Sequence, residues 1–316
     1  MVSNGSAPHT AVREPIEGID VSSSANQPVP SRAPWHLRVL WPILAAATWL
    51  ASMVYIATQL GVSGLLIGAV LSAILAALIV GVILWLGRWT PREPRLLVSA
   101  FVWGASIAAF CALWSQNGLQ ALVDGTLGVD AGRWIRPLII TPVTEEGFKG
   151  LFLVWLLVFH RRRIGGLLGG IVYGGLVGAG FSLVENSLYL GGAVTTFLHS
   201  DTSDPRAIAT LAATLVLRVV LVPLMHPFLV AITGLGVAAA AAARRRGARV
   251  ALVLAGLLIA MALHGAWDWA GLAASDPYLI YKIYAAVMLP MFLAVVILGT
   301  SLRRRQRRRT ATTLAV

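Results

Sequence analysis

Charge is scarce in this chain of 316 residues, and cysteine is almost missing. Charged side chains make up 12% of it and hydrophobic ones 58%, where a soluble domain carries about 25% and roughly 45–50%. That deficit excludes a soluble enzyme and a disordered chain. A single cysteine, Cys111, excludes an internal disulfide and a thiolate metal site. The first 36 residues lack any apolar stretch and are rich in Ser, Pro and Ala. They are expected to form a disordered cytoplasmic tail rather than a cleavable signal peptide. What the chain has instead is long apolar runs, among them Val39–Gln59, Gly61–Leu86 and Leu97–Trp114. A run of about 20 such residues crosses the ~30 Å hydrocarbon core of a bilayer. The expected fold is all-α, a polytopic integral membrane protein.

Apolar runs and their breakers give eight expected spans, at 39–59, 61–87, 97–117, 138–160, 164–190, 207–243, 250–273 and 278–302. Only a Gly61/Gly64 turn separates the first two. The sixth is too long for one simple span, so its first turns are expected outside the membrane. The organisation is therefore a tail over 1–36, a transmembrane domain over 37–302 and a basic cytoplasmic tail over 303–316.

A net charge of +12 suggests nucleic acid until the charges are placed. Every second connection is basic: Arg88, Arg92 and Arg95; Arg161, Arg162 and Arg163; Arg244, Arg245, Arg246 and Arg249; then the arginines from Arg303 to Arg309. With the amino-terminal tail, that side carries +15, the opposite loops −1 and the spans −2. The excess is thus the positive-inside bias of a membrane protein. Both termini are expected in the cytoplasm, the arginine-rich end resting on anionic headgroups of the lipid bilayer, with no nucleic-acid partner.

Ionisable side chains inside spans cost about 2.5–3.5 kcal/mol each and by default mark function. The set is Glu145, Glu146, Lys149, Glu185, Arg218, His226, His264 and Asp268. Counted from the cytoplasmic arginines at ~1.5 Å per residue, the acids and imidazoles among them fall at depths of roughly 22 to 33 Å. Four successive spans, the fourth to the seventh, therefore place acids and imidazoles in one slab toward the outer face. Each also has a plainer reading. Thr141-Pro142 resembles a helix start, at which Glu145 and Glu146 would merely complement the dipole. His264 and Asp268, four residues apart, would be a hydrogen-bonded pair at a helix end, or an imidazole oriented by a carboxylate. His226 would be a satisfied core histidine, although Pro223 and Pro227 suit a cavity wall. Glycines at 166, 170, 174 and 178 form a small-residue stripe for close helix packing, which would hold Glu185 in place.

Carboxylates and imidazoles in a wet pocket fit metal-assisted hydrolysis. The segments Glu145-Glu146-Gly-Phe-Lys149, Phe181-Ser-Leu-Val-Glu185-Asn186 and His264-Gly-Ala-Trp-Asp268 resemble the E-E-x-x-K, F-x-x-x-E-N and H-x-x-x-D motifs of the PrsW intramembrane proteases. His226 resembles that family's additional histidine. The family is distantly similar to the CAAX prenyl protease (ABI) superfamily, whose E-E-x-x-x-R motif is one residue longer. The resemblance covers roughly 137–272; the other spans match only in hydrophobicity.

The resemblance implies an endopeptidase of a bacterial-type cell membrane. Its substrate would be a membrane-anchored protein, such as an anti-sigma factor, cut near the outer face. Glu145 and Glu146 would activate water, while His226, His264, Glu185 and Asp268 would bind metal or steady the oxyanion. Lys149, Phe181, Asn186 and Arg218 would support them. Zinc is the implied cofactor, and a metal-free glutamate mechanism is the alternative in the wider superfamily. Two other functions compete with this one: a proton- or cation-coupled transporter, in which matching halves are more usual, and a catalytically inactive membrane scaffold.

Overall fold

In lipid every backbone amide must find its partner within the chain, so apolar runs of this length become helices. The computed structural model describes residues 35–89, 93–272, 276 and 278–314, and all regular structure among them is helical. The chain separates into two units, Met1–Leu40 and Trp41–Val316. Of the first, the described residues are the opening turns of α1, so the rest of the expected tail lies outside the described residues. The contacts below belong to the second unit.

The elements in order are α1 (Trp35–Leu86), α2 (Pro94–Trp103), α3 (Ala109–Leu127), α4 (Val129–Ile135), α5 (Thr141–Phe159), α6 (Gly166–Leu198), α7 (Pro205–Leu215), α8 (Met225–Ala242), α9 (Arg246–Leu272), α10 (Leu279–Ile283) and α11 (Leu289–Leu314). π-helical turns join α2 to α3, α4 to α5 and α10 to α11, and another follows α7. Six helical stretches are long and apolar enough to cross a membrane: Val39–Leu86, Pro94–Leu127, Gly166–Leu198, Pro205–Ala242, Arg246–Gly271 and Leu279–Arg308. This is an integral membrane protein.

The run Val39–Leu86 is interrupted where the glycine turn was expected. Gly61 takes φ 72° and ψ 169°, a backbone state open to glycine and strained for other residues. Beyond it, α1 shows its two faces at helical spacing. Leu66, Val70, Ile74 and Leu78 are exposed, while Leu75, Ala76, Ile79 and Ile83 are buried. An apolar face left bare in this way is the one lipid covers.

The sixth expected span is indeed broken. After α7 and its π turn the helix stops at Val222, and α8 begins at Met225, two residues before Pro227. The expected helix start at Thr141-Pro142 takes a different form. The chain is already helical from Val129, and Ile140 (φ −63°) continues through the π turn Arg136–Ile140 into α5. Glu145 and Glu146 therefore lie inside a continuous helical run, and a free dipole end is not what they serve.

The centre of the bundle is α6 against α8, with α9 and α5 packed on α8, α5 also touching α6, and α2 packed on α6. The glycine stripe explains the approach. A Cβ added at Gly170 or Gly174 would collide with the carbonyls of Gly234 or Val230, and one at Gly178 would lie 2.5 Å from the carbonyl of His226. Gly166 does not belong to this interface: it has open space around it and φ 75°. The close crossing sets the height of His226 on α8 against Glu185 on α6.

Candidate functional site

Helix α5 supplies three of the polar residues within a single turn. Glu145, Glu146 and Lys149 are 6%, 1% and 0% exposed. Lys149 Nζ donates to Glu145 Oε2 at 3.0 Å and to Glu146 Oε1 at 2.8 Å. An i, i+4 pair of this kind contributes little on a solvated helix. In this dry interior each partner instead prevents the other from being an uncompensated charge.

Two imidazoles enter from other helices. His226, in the first turn of α8, has Nδ1 3.0 Å from Lys149 Nζ and Nε2 against Glu185 Oε2 on α6. An ammonium only donates, so Nδ1 accepts and the ring proton sits on Nε2, given to Glu185. His264 on α9 has Nδ1 3.0 Å from Glu146 Oε1, to which it donates. Its Nε2 lies 3.9 Å from Glu145 Oε2 and 3.5 Å from Asp268 Oδ2. The two rings are 5.4 Å apart and near perpendicular, and both are buried.

The outer partners differ. Glu185 meets Arg218 Nη1 at 3.3 Å, and the Arg218 guanidinium lies 3.6 Å from the Tyr189 ring centre, a favourable cation–π distance. Among the described residues the one ion pair of Asp268 is with His264. Phe181 stands 5.3 Å from the His226 ring and 3.8 Å from Lys149 Nζ. Asn186 is buried, with no hydrogen bond to Glu185 among the described residues.

The cluster opens on a cavity of about 630 Å³, whose lining includes Gln116, Glu145, Glu185, Arg218, His264 and Asp268. A second cavity of about 180 Å³ reaches Glu145 and Glu185 from the side of Tyr55, Ile56 and Phe181. Glu145 thus faces open space, whereas Glu146 is turned inward, and its Oε2 is buried without a hydrogen-bond partner.

All eight ionisable residues expected at the site are brought together. Three others were missed. Gln116 on α3 donates to Glu145 Oε1 at 3.1 Å, Tyr189 carries Arg218, and Arg136 lines both cavities. Gln116 ends an apolar run beside Ser115 and Asn117, so by pattern it looks like the edge of a span. Its one signal is that it ends its apolar run on the side the charge placement expects to face outward, as expected for the acids.

Glu145, Glu146, His226 and His264 each offer a ligand atom, and these four atoms lie within 4.8 Å of one another. Carboxylate oxygens and imidazole nitrogens are the donors zinc takes. An orphaned buried oxygen on Glu146 and a lone pair on His226 Nδ1 turned to the centre fit a cation there. The cluster is capable of binding a divalent metal.

Residues 92–296 match the model of the PrsW family of intramembrane metalloproteases. That range extends beyond the three motifs to include α2, α3 and most of the last membrane helix. No curated protein and no solved structure matches the chain.

Proposed function

The chain belongs to the PrsW family of intramembrane metalloproteases, and from that premise we propose that it cuts a peptide bond of a membrane-anchored protein near the outer membrane face. The observation that carries this reading is the meeting of Glu145, Glu146, His226 and His264, from three helices, beside a cavity large enough for a peptide. The family resemblance suggests an anti-sigma factor as the substrate.

The topology proposed for it has eight spans. Gly61 divides Val39–Leu86 in two, and α5, 19 residues long, crosses despite its three charges. The domain covers 37–302, and the positive-inside bias puts both termini in the cytoplasm of a bacterial-type cell. The site then faces outward, within reach of water.

Glu145 is the residue proposed to take the proton from water. It lines the cavity, and both its oxygens are held, Oε1 by Gln116 and Oε2 by Lys149. A base fixed in this way needs no reorganisation when the proton moves. His226 through Nδ1, His264 through Nε2 and Glu146 would hold zinc. When bound, zinc polarises the scissile carbonyl and makes water more acidic.

Glu185 accepts from His226 Nε2–H and so keeps the lone pair of Nδ1 turned inward, the usual role of a carboxylate behind a metal-binding imidazole. Asp268 lies 3.5 Å from His264 Nε2, the nitrogen proposed for zinc, and so flanks the metal position itself. Arg218 balances Glu185 and lines the cavity, where its remaining N–H groups can hold a substrate carbonyl. Phe181 packs against Lys149, which donates to both glutamates.

The test is coexpression with single-span candidate substrates, following their cleavage by wild type, Glu145→Gln, Glu146→Gln and His264→Ala. Cleavage by wild type alone is expected. Equal cleavage by all four would overturn the reading, and proton flux dependent on Glu146 without cleavage would replace it with a transporter.

A further inference from the structure

A buried cluster of carboxylates and imidazoles attracts a cation, and this chain carries one already in place. Lys149 Nζ lies 3.0 Å from Glu145 Oε2, 2.8 Å from Glu146 Oε1 and 3.0 Å from His226 Nδ1. Those residues are three of the four whose ligand atoms converge. An ammonium has three N–H donors, and these acceptors use all of them. Its remaining side faces the Phe181 ring at 3.8 Å. Lys149 has no exposure at all. A lysine that only balanced the glutamates of its own helix would not also take the lone pair of an imidazole 77 residues away.

We propose that the Lys149 ammonium is a built-in competitor of the metal, occupying the centre of the cluster and displaced from Glu146 and His226 when a divalent cation binds. The proposal rests on the reading of Glu145, Glu146, His226 and His264 as one cation-binding group. Zinc takes oxygen and nitrogen ligands at about 2.0–2.2 Å. Drawing on Glu146 and His226 Nδ1, it would take two of the three acceptors of Lys149, leave only Glu145, and set two like charges side by side in an interior that screens them poorly. Lys149 therefore preassembles the cluster in the metal-free chain. It also lowers the affinity of the site for metal, because entry requires the ammonium to give up His226 Nδ1 and Glu146 and withdraw onto Glu145.

The experiment compares full-length wild type, Lys149→Met and Lys149→Gln in the same detergent across a series of chelator-buffered zinc concentrations. Bound zinc is measured by elemental analysis and stability by thermal melting. Each variant is expected to hold one zinc at least tenfold more tightly than wild type. Each should also melt lower than wild type in chelator and recover as zinc is added, whereas wild type changes little. Variants that melt cooperatively yet hold zinc no more tightly than wild type would overturn the proposal.

Wild type itself gives a second measurement, because the chain has only two lysines, Lys149 and Lys282. With lysine side chains isotope-labelled, zinc should move one resonance and leave the other in place. Zinc bound with both resonances unmoved would also overturn the proposal. Neither readout needs peptide cleavage, so a protein that binds zinc as expected but cuts nothing would defeat the protease reading alone.

Discussion

The two histidines of the cluster are supported in different ways, although each has a carboxylate on its outer side. His226 gives its ring proton to Glu185, whose charge is balanced by Arg218 stacked on Tyr189. Its other nitrogen is left as a pure acceptor turned to the centre. His264 spends its Nδ1 proton on Glu146 within the centre, and among the described residues Asp268 makes its ion pair with His264 and none with an arginine. Helix packing follows the same division. His226 sits where α6 and α8 touch through Gly178, at a distance that leaves no room for a methyl group. Gly265, beside His264, brings α9 to within 2.8 Å, measured from an added Cβ, of the carbonyl of Leu138. One imidazole is fixed by a closed network and a tight crossing, the other by fewer and looser constraints. Control of orientation is thus concentrated on the His226 side.

The most damaging change is expected between the two limbs. Glu145→Gln keeps the shape and removes the base, and cleavage of a reporter substrate should fall about 10²- to 10⁴-fold. Glu185→Gln acts on the tighter limb by releasing the His226 tautomer. A loss of about 10- to 100-fold is expected, read as cleavage rate and as zinc content, and Asp268→Asn should cost no more than about tenfold. Equal losses for the two would erase the distinction between the histidines.

Packing provides the third comparison. Gly178→Ala should lower stability by about 1–3 kcal/mol, because the new methyl meets backbone on α8 and not a side chain that can turn away. Gly265→Ala should cost less, and denaturation of the two in the same detergent orders them. The smallest effect belongs to Gln116→Ala, which removes one hydrogen bond to Glu145. A loss of about threefold in cleavage, with unchanged melting, is expected.

Much of this was legible in the residues. Apolar runs of membrane length, a break at Gly61 and an interrupted sixth span followed from hydropathy and from the backbone limits of glycine and proline. Glu145, Glu146, Lys149, Glu185, Arg218, His226, His264 and Asp268 could be singled out because a charge in a span needs a partner or a purpose. Gln116 and Tyr189 could not, since an uncharged polar residue at the edge of a span costs little and leaves no such mark. Nor could the π turn ahead of α5 be read, where Thr141-Pro142 carries an ordinary signal for a helix start.

Sequence alone determined that this chain is an integral membrane protein, and it singled out the costly ionisable groups within its apolar runs. Hydropathy and charge placement act residue by residue, so both can be read along a line. Which nitrogen of His226 faces inward, which glutamate faces the cavity and which cation sits among the donors were decided only in the folded bundle. Those outcomes depend on angles and on distances of about 3 Å between helices far apart in the chain, and a linear pattern carries neither.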